Sequence, residues 1–440
     1  MIICKRKLLT SSLIKLLFRS RYSSLKELNN YCVFITNSTT GSHTHCNYQS
    51  TRSLSSNYNY RAVFLGSDAF SIPSLVMTTN LLGSTNVSVV VSNFGNEVAK
   101  FAKKNELETF HWEDFKTKDF WNHNNRSEEF GVVASFGHLI PLQVIERFPL
   151  GILNVHGSLL PRWRGAAPIP HAIIYGDKTT GISIMQIAPH KFDIGPILYQ
   201  QEIPIHPHIR RPELISILAD VGAEALGHVI SDIDHFSSHP IPQNEEEAKL
   251  SPKLTPVMAE VDWSTKTADE VYNLFRGLYG VFKLKTYLME KPIDLDEIGL
   301  VVMNSHRDSK GIGDSASEKC EQNNTSLNKS TNFERFYSNS PFYNLDNINV
   351  LASSVPGQII YYKDIILVKC MDVSKSLKCM PYVSVRKFKV GKKWMSAKDF
   401  QNGFLSKCKP DQRIFSFQQQ TTSVQPENTI KKQQQEQKLK

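Results

Sequence analysis

From residue 61 onward, short apolar runs alternate with stretches in which apolar residues recur at the helical period. The run at 87–91 is Val-rich and interrupted only by Ser88, which is typical of a strand buried on both faces. Similar runs predict strands at 61–65, 131–134, 151–155, 181–186 and 197–203. Helices are predicted from about residue 72, at 97–104, around 142–147 and at 213–230. This order favours an α/β fold with a doubly wound, mostly parallel sheet.

The pattern changes after residue 238. Four prolines and a run of three glutamates lie within 238–262, which predicts a linker. Beyond it the sequence predicts a helix at 271–278 and strands at 301–303, 358–362, 365–370 and 383–390. Short strands separated by turns are typical of a small β-barrel. Residues 304–350 are rich in Ser, Asn, Asp and Lys with little hydrophobic period, which predicts a disordered insertion.

Composition narrows the class of protein. The chain has 440 residues, of which 40% are hydrophobic and 21% charged, so collagen-like, wholly disordered and disulfide-scaffold classes are excluded. No apolar run approaches the roughly 18 residues of a membrane helix, so no contact with a membrane is predicted. The seven cysteines are odd in number and form no C-x-x-C, which favours reduced thiols over a zinc site or disulfides.

Charge is unevenly distributed. The formal net charge is +9, yet residues 60–350 carry 26 basic against 35 acidic residues, whereas 351–440 carry 17 against six. A basic C-terminal part beside an acidic middle favours an anionic partner bound by the former. The alternative is a solvated, lysine-rich tail.

The N-terminus has the composition of a targeting segment. Seven Lys or Arg precede the first acid, Glu27, and Leu, Ile, Ser and Thr lie between them. An Arg- and Ser-rich, acid-poor, amphipathic start predicts a mitochondrial transit peptide, and the alternative is a disordered basic extension. The predicted organisation is therefore a leader at 1–59, an α/β domain at 60–240, a linker at 241–264, a barrel at 265–405 with the insertion 304–350, and a Gln/Lys-rich tail at 406–440.

Three residues are candidates for catalysis. Asn154 and His156 are two apart in a predicted strand, so both project to one face near its C-terminal end, where open α/β sheets bind ligands. An amide beside an imidazole can polarise a carbonyl and move a proton, although a hydrogen-bonded structural pair has the same spacing. Asp193 follows in a loop flanked by Gly and Pro; it either orients the histidine or is a solvated loop residue.

The stretch Asn-Val-His-Gly-Ser-Leu-Leu-Pro-Arg-Trp-Arg-Gly-Ala-Ala-Pro at 154–168 resembles the motif of methionyl-tRNA formyltransferases. Shorter matches occur at 64–67, 132–137, 184–186, 261–264 and 391–397. The resemblance covers about residues 60–405, except for the insertion at 304–350. The sequence Phe-Asp-Ile-Gly-Pro-Ile-Leu at 192–198 looks like that of the mitochondrial branch of the family. It implies a Rossmann-like formyltransferase domain followed by an OB-like β-barrel domain.

The resemblance also implies the reaction. The family moves the formyl group of 10-formyltetrahydrofolate to the α-amine of methionine on initiator tRNA, with no metal required. It implies that Asn154, His156 and Asp193 are the catalytic residues. It places the folate against Phe136, Gly137, Ile140, Pro141, Ser158, Leu159, Leu160, Pro161 and Ala188.

The expected macromolecular partner is initiator Met-tRNA. The predicted tRNA-binding residues are Arg162, Arg164, Arg386, Lys387, Lys389, Lys392 and Lys393. The protein is expected to act as a monomer in the mitochondrial matrix. One departure is the loop at 92–97, which is short and lacks the basic residues of bacterial members.

Three rival functions stay open at this point: a formyltetrahydrofolate hydrolase, a sugar-amine formyltransferase, or an inactive RNA-binding protein that kept the fold. A hydrolase would not need a basic, β-rich second domain. All three catalytic positions are filled, which disfavours the inactive protein. The isolated pairs His206/His208 and His43/His45 do not predict a metal site.

Overall fold

A computed structural model describes residues 60–123, 128–302, 343–344, 355–372 and 379–417. The predicted leader, most of the predicted insertion and the tail beyond 417 lie outside the described residues. The chain divides into two compact units. The first runs to Thr255 and includes Arg276–Val281; the second comprises Pro256–Phe275 and the described chain from Phe282 onward.

The first unit is built on a seven-stranded, mostly parallel sheet, as predicted. Its strands are β1 (Ala62–Gly66), β2 (Val87–Val91), β3 (Thr109–His111), β4 (Phe130–Ala134), β5 (Ile152–His156), β6 (Thr179–Gln186) and β7 (Ile197–Pro204). Their order is β3-β2-β1-β4-β5-β6-β7, and only the pairings of β6 with β5 and β7 are antiparallel. The central strands are buried on both faces, which explains their continuous apolar runs.

Helices cover both faces of this sheet. They are α1 (Ser71–Leu82), α2 (Glu97–Lys104), α3 (Trp112–Phe115), α4 (Lys118–His123), α5 (Leu142–Ile145), α6 (Pro168–Ile174), α7 (Arg211–Ser231) and α8 (Ile233–Ser238). Local chemistry defines α2: the Asn96 side chain accepts from Ala99 N at its start, and Lys103 and Lys104 lie in its last turn.

The long helix α7 is the centre of the main core. Its residues Leu214, Leu218 and Leu226 are fully buried and pack with α1 and β6. By length and apolar composition α7 could also cross a membrane, but two thirds of its most apolar stretch is buried within this unit, as in a core helix.

The second unit is an antiparallel sheet that curls into a half-barrel, consistent with the predicted OB-like domain. Its strands are β8 (Leu284–Leu288), β9 (Lys291–Val302), β10 (Tyr343–Asn344), β11 (Ile359–Tyr362), β12 (Ile365–Lys369), β13 (Cys379–Val390), β14 (Lys393–Ser396) and β15 (Phe415–Ser416). The order is β11-β12-β13-β9-β8-β15, with β14 on β13 and β10 beside β9. Its helices are α9 (Ala268–Leu278), shared with the first unit, and α10 (Ala397–Gly403).

An aromatic stack fills the centre of the half-barrel. The rings of Phe388 and Phe400 lie 4.4 Å apart and nearly parallel, and Phe415 packs beside them. Trp263 stacks on Phe415 and donates from Nε1 to Thr286 Oγ1. The buried Phe415 belongs to this core although it lies beyond residue 405, and the unit begins at Pro256, within the stretch predicted as a linker.

Candidate active site

Strand β5 brings two candidate residues to one side of the first sheet. Asn154 lies opposite Val133 of β4 and Met185 of β6, and His156 lies opposite Ser183. Because side chains alternate along a strand, the two project together. His156 is 6% exposed, whereas Asn154 is only partly buried. The imidazole is thus enclosed, and the amide borders the surface.

Asp193 returns to this pair from the loop between β6 and β7. Its Oδ1 accepts from Asn154 Nδ2 at 3.2 Å and lies 3.5 Å from His156 Nδ1. Its Oδ2 accepts from the backbone N of Gly165 at 2.9 Å. The carboxylate side chain is 11% exposed, so the solvated-loop alternative is wrong. The three predicted catalytic side chains therefore form one cluster.

The hydrogen bonds of His156 fix where its proton lies. Its Nε2 is 2.9 Å from the carbonyl oxygen of Trp163, which can only accept, so Nε2 carries a hydrogen. The lone pair of a neutral ring then lies on Nδ1 and faces the Asp193 carboxylate. Without a further proton, this contact sets a lone pair against a negative charge. A proton between Nδ1 and the carboxylate makes the contact attractive. The pair is therefore suited to hold and release a proton.

The predicted tRNA-binding arginines of this unit are both in ion pairs. Arg162 donates from Nε and Nη2 to both carboxylate oxygens of Asp177, and its guanidinium lies 4.5 Å from the centre of the Trp163 ring. Arg164 is buried and binds both oxygens of Glu245, at 2.8 and 2.9 Å. That hydrogen bond lowers the pKa of the Glu245 carboxyl. A contact of either arginine with tRNA stays a prediction.

Residues 243–251, predicted as linker, lie against the loop that follows β5. Gln243 donates to the carbonyl oxygens of Asp193 and Gly195 and accepts from Arg164 Nε. Ser251 is fully buried, and its Oγ donates to the Trp163 and Arg164 carbonyl oxygens. Sequence reasoning missed these contacts because nothing in a Pro-rich stretch marks a residue that packs on a distant loop.

Eight of the nine predicted folate-binding residues follow β4 and β5, which are parallel neighbours, so both stretches leave the sheet at the same edge. The ninth, Ala188, follows β6, which is antiparallel to β5. Phe136 and Ile140 are buried in a hydrophobic cluster with Trp112, so what they offer a ligand is backbone. Leu160 and Ser158 are also buried; the Ser158 hydroxyl donates to Arg162 O. Gly137 is exposed, and the half-buried members are Pro141, Leu159, Pro161 and Ala188. Their binding of folate stays a prediction.

The basic residues of the second unit lie on β13, the turn after it and β14. Lys387 pairs with Glu297 of β9 at 2.6 Å, and Lys389 lies 3.5 Å from Asp294. Lys392 and Lys393 are exposed at the turn, beside the partly exposed Trp394. The turn is thus an accessible part of the predicted basic surface, as is Arg386 on β13.

Within the described part of the chain, no third metal-ligating side chain joins His206 and His208. No group of three His, Cys, Asp or Glu able to hold a metal occurs among the residues that the structure describes. Burial, with positive charge from His206 and Arg276, lowers the pKa of His208 to about 4. The imidazole is therefore neutral at physiological pH.

Comparison with known proteins identifies the class. A family model described as "Formyl transferase" matches residues 60–230, and "Formyl transferase, C-terminal domain" matches 253–405. The mitochondrial methionyl-tRNA formyltransferase of Homo sapiens is 31% identical over 77% of this chain and 76% of its own length. The methionyl-tRNA formyltransferase of Acetivibrio thermocellus is 37% identical over 49% of this chain and 72% of its own. Among solved structures, the sugar 3N-formyl transferase WlaRD has a TM-score of 0.47 at 14% identity, over 75% of this chain and 97% of that one.

The chain belongs to the formyl transferases, a family of formyl-transferring enzymes. Within that family its branch is the methionyl-tRNA formyltransferases, the name that its mitochondrial and bacterial relatives carry.

Proposed function

We propose that this enzyme transfers the formyl group of 10-formyltetrahydrofolate to the α-amine of methionine on initiator Met-tRNA, for translation initiation in the mitochondrial matrix. The observation that carries the proposal is the cluster of Asn154, His156 and Asp193 at the ligand-binding edge of the sheet, in a chain of this family. The rival functions of hydrolase and sugar-amine formyltransferase are not favoured, because the relatives that match most of the chain are methionyl-tRNA formyltransferases.

Asn154 is assigned to the formyl oxygen. Its amide nitrogen has two hydrogens, and one is directed at Asp193 Oδ1. The second is available to the oxygen that becomes negative as the amine adds to the formyl carbon. A donor of this kind contributes roughly 3–4 kcal/mol to the stability of the transition state.

Asp193 and His156 are assigned to the proton. As the amine attacks, a new C–N bond forms, the bond from the formyl carbon to N10 breaks, and one amine proton must reach N10. Asp193 accepts that proton, directly or through water, and returns it to the leaving nitrogen. His156 is held by the Trp163 carbonyl. It stabilises the formyl centre as the oxygen becomes negative, and it shares the proton with the Asp193 carboxylate. This chemistry needs no metal, because the formyl carbon is already activated.

Met-tRNA and the folate are thus the two substrates. The basic C-terminal part is assigned to tRNA phosphates, and the protein is assigned as a monomer that does not bind membranes. A mitochondrial location is supported by the mitochondrial relatives and by the predicted leader.

The test is an assay of the purified full chain with 10-formyltetrahydrofolate and Met-tRNA, with free methionine and no acceptor as controls. Formyl-methionine that appears only with the charged tRNA supports the proposal. Release of formate without an acceptor would indicate a hydrolase instead. Binding of tRNA with no turnover of either substrate would indicate an inactive RNA-binding protein.

Charge reversal at the basic turn should weaken tRNA binding. The double variant Lys392→Glu/Lys393→Glu is expected to raise the Kd for Met-tRNA by about 10-fold or more and to reduce its salt dependence, since phosphate contacts release counterions. The measurement is a binding titration at several salt concentrations. Lys100→Glu/Lys103→Glu, which reverses the charge of two exposed lysines of α2, is the control matched for the change in net charge. Equal Kd values in the double variant and the parent chain would remove this turn from the tRNA site.

A further inference from the structure

The backbone around Asp193 has an unusual conformation. Asp193 has a φ of +57°, in the left-handed region that residues with a side chain rarely adopt. Such a conformation persists when the surrounding structure holds it. Here the holding contacts include two hydrogen bonds from Gln243 Nε2, to the carbonyl oxygens of Asp193 at 2.9 Å and Gly195 at 2.7 Å. Both carbonyls of the turn are thus fixed by one amide.

Arg164 determines which way that amide points. Its Nε donates to Gln243 Oε1 at 2.9 Å, so the oxygen of the amide faces the arginine and the nitrogen faces the loop. The reversed amide would place its oxygen against two carbonyl oxygens and its nitrogen against a cation. Arg164 is itself fixed, because it is buried and both oxygens of Glu245 accept from it. The orientation of Gln243 is therefore set by a buried charge.

In the chain, Arg164 lies between two residues whose backbone groups contact His156 and Asp193. The carbonyl of Trp163, directly before it, accepts from His156 Nε2, and the N–H of Gly165, directly after it, donates to Asp193 Oδ2. Movement of Arg164 would therefore disturb both groups that share the proton.

We propose that Gln243 and Arg164 are positioning residues, which hold the Asp193 carboxylate in the geometry that proton transfer requires. The inference rests on the proposed function, in which Asp193 carries that proton. It assigns Arg164 to the active-site framework instead of the predicted tRNA surface. A displacement of about 1 Å in a reacting group is enough to cost about 100-fold in rate.

The principal test is Gln243→Glu, which keeps the size of the side chain and removes both N–H donors. We expect kcat for formylation to fall by about 10- to 100-fold, with KM for both substrates within about threefold. The loss should shrink as pH falls, because a protonated glutamate regains one O–H donor toward the loop. A merely structural role would not produce this relief at low pH. Gln412→Glu is the matched control, since it makes the same change at an exposed glutamine of the second unit, whose Oε1 accepts from Lys409 N.

Arg164→Lys supplies a second measurement. This variant should also lower kcat. The double variant with Gln243→Glu should lose less kcat than the product of the two single fold-losses, because both substitutions act through one contact. Thermal unfolding of each variant checks that the first unit stays folded. If Gln243→Glu does not fold, Arg164→Lys decides the question. A fall in kcat with unchanged KM supports the positioning role, and a rise in KM for Met-tRNA with unchanged kcat contradicts it.

Asp193→Asn in the same assay separates this inference from the proposed function. If Asp193→Asn is inactive while folded Gln243→Glu and Arg164→Lys turn over like the parent chain, the positioning role is wrong and the proposed function stands. If the parent chain forms no formyl-methionine, the proposed function itself fails, whereas a fully active Asp193→Asn removes only the proton-carrying role of Asp193 on which the positioning role rests. An equal loss at every pH for Gln243→Glu would also overturn the positioning role.

Discussion

Asp193→Asn is expected to lower kcat for formyl transfer by about 10³- to 10⁴-fold, with little change in the affinity for Met-tRNA. The amide is close in size to the carboxylate and can still accept the hydrogen bond from Gly165 N. It cannot accept a proton from the amine. With its oxygen kept on Gly165 N, its NH2 group would take the place of Oδ1 and oppose the NH2 group of Asn154, beside His156. The loss is therefore chemical and leaves the fold in place.

Single-turnover formylation at saturating folate and tRNA measures this effect, and a binding titration measures the affinity. Asp232→Asn, an exposed carboxylate between α7 and α8, is the control for loss of one negative charge. A variant within tenfold of the parent rate would remove Asp193 from the chemistry.

Gly195→Ala is expected to abolish most activity by displacing the loop that carries Asp193. A Cβ at residue 195 would lie 1.8 Å from the backbone oxygen of Gln186, a distance that no side-chain adjustment relieves. Gln186 is the last residue of β6, so either the strand end or the loop must shift. We expect a loss of about 2–3 kcal/mol in the free energy of unfolding and a fall in kcat of about 100-fold or more.

Denaturant unfolding and the formylation assay read the two effects separately. Gly403→Ala is the matched control, because a Cβ at the end of α10 meets no atom within 4 Å. If Gly195→Ala were as stable and as active as Gly403→Ala, the close approach between the loop and β6 would have no part in holding Asp193.

The sequence predicted the first sheet well because its strands are buried on both faces. The observed β2 has the predicted limits, and β1, β4 and β5 are displaced by about one residue. β3 was missed because it has three half-buried residues and no apolar run. Only the end of β9 was predicted, because Pro292 and the three acids at 294–297 interrupt its pattern.

The site was predictable where it depends on local geometry. Strand spacing predicted that Asn154 and His156 share one face, but it left a structural pair and a solvated Asp193 open. The resemblance to methionyl-tRNA formyltransferases joined the three as a catalytic set. Gln243 was not predictable, since it is 50 residues from Asp193 and no local pattern records that contact. The partners of Arg162 and Arg164 were also missed, because a sequence shows that a residue is charged but not that its charge is neutralised.

The ion pair of Arg164 with Glu245 has a consequence for how the enzyme is made. The two residues are 81 positions apart, and the buried hydroxyl of Ser251 reaches back 88 positions to Trp163. Non-local contacts of this kind form late in folding, after the entropy of closing the intervening chain has been overcome. A ribosome that has just completed β7 has therefore synthesised every predicted catalytic residue but not the segment that secures them. The nascent chain acquires its catalytic geometry only when residues 243–251 have emerged.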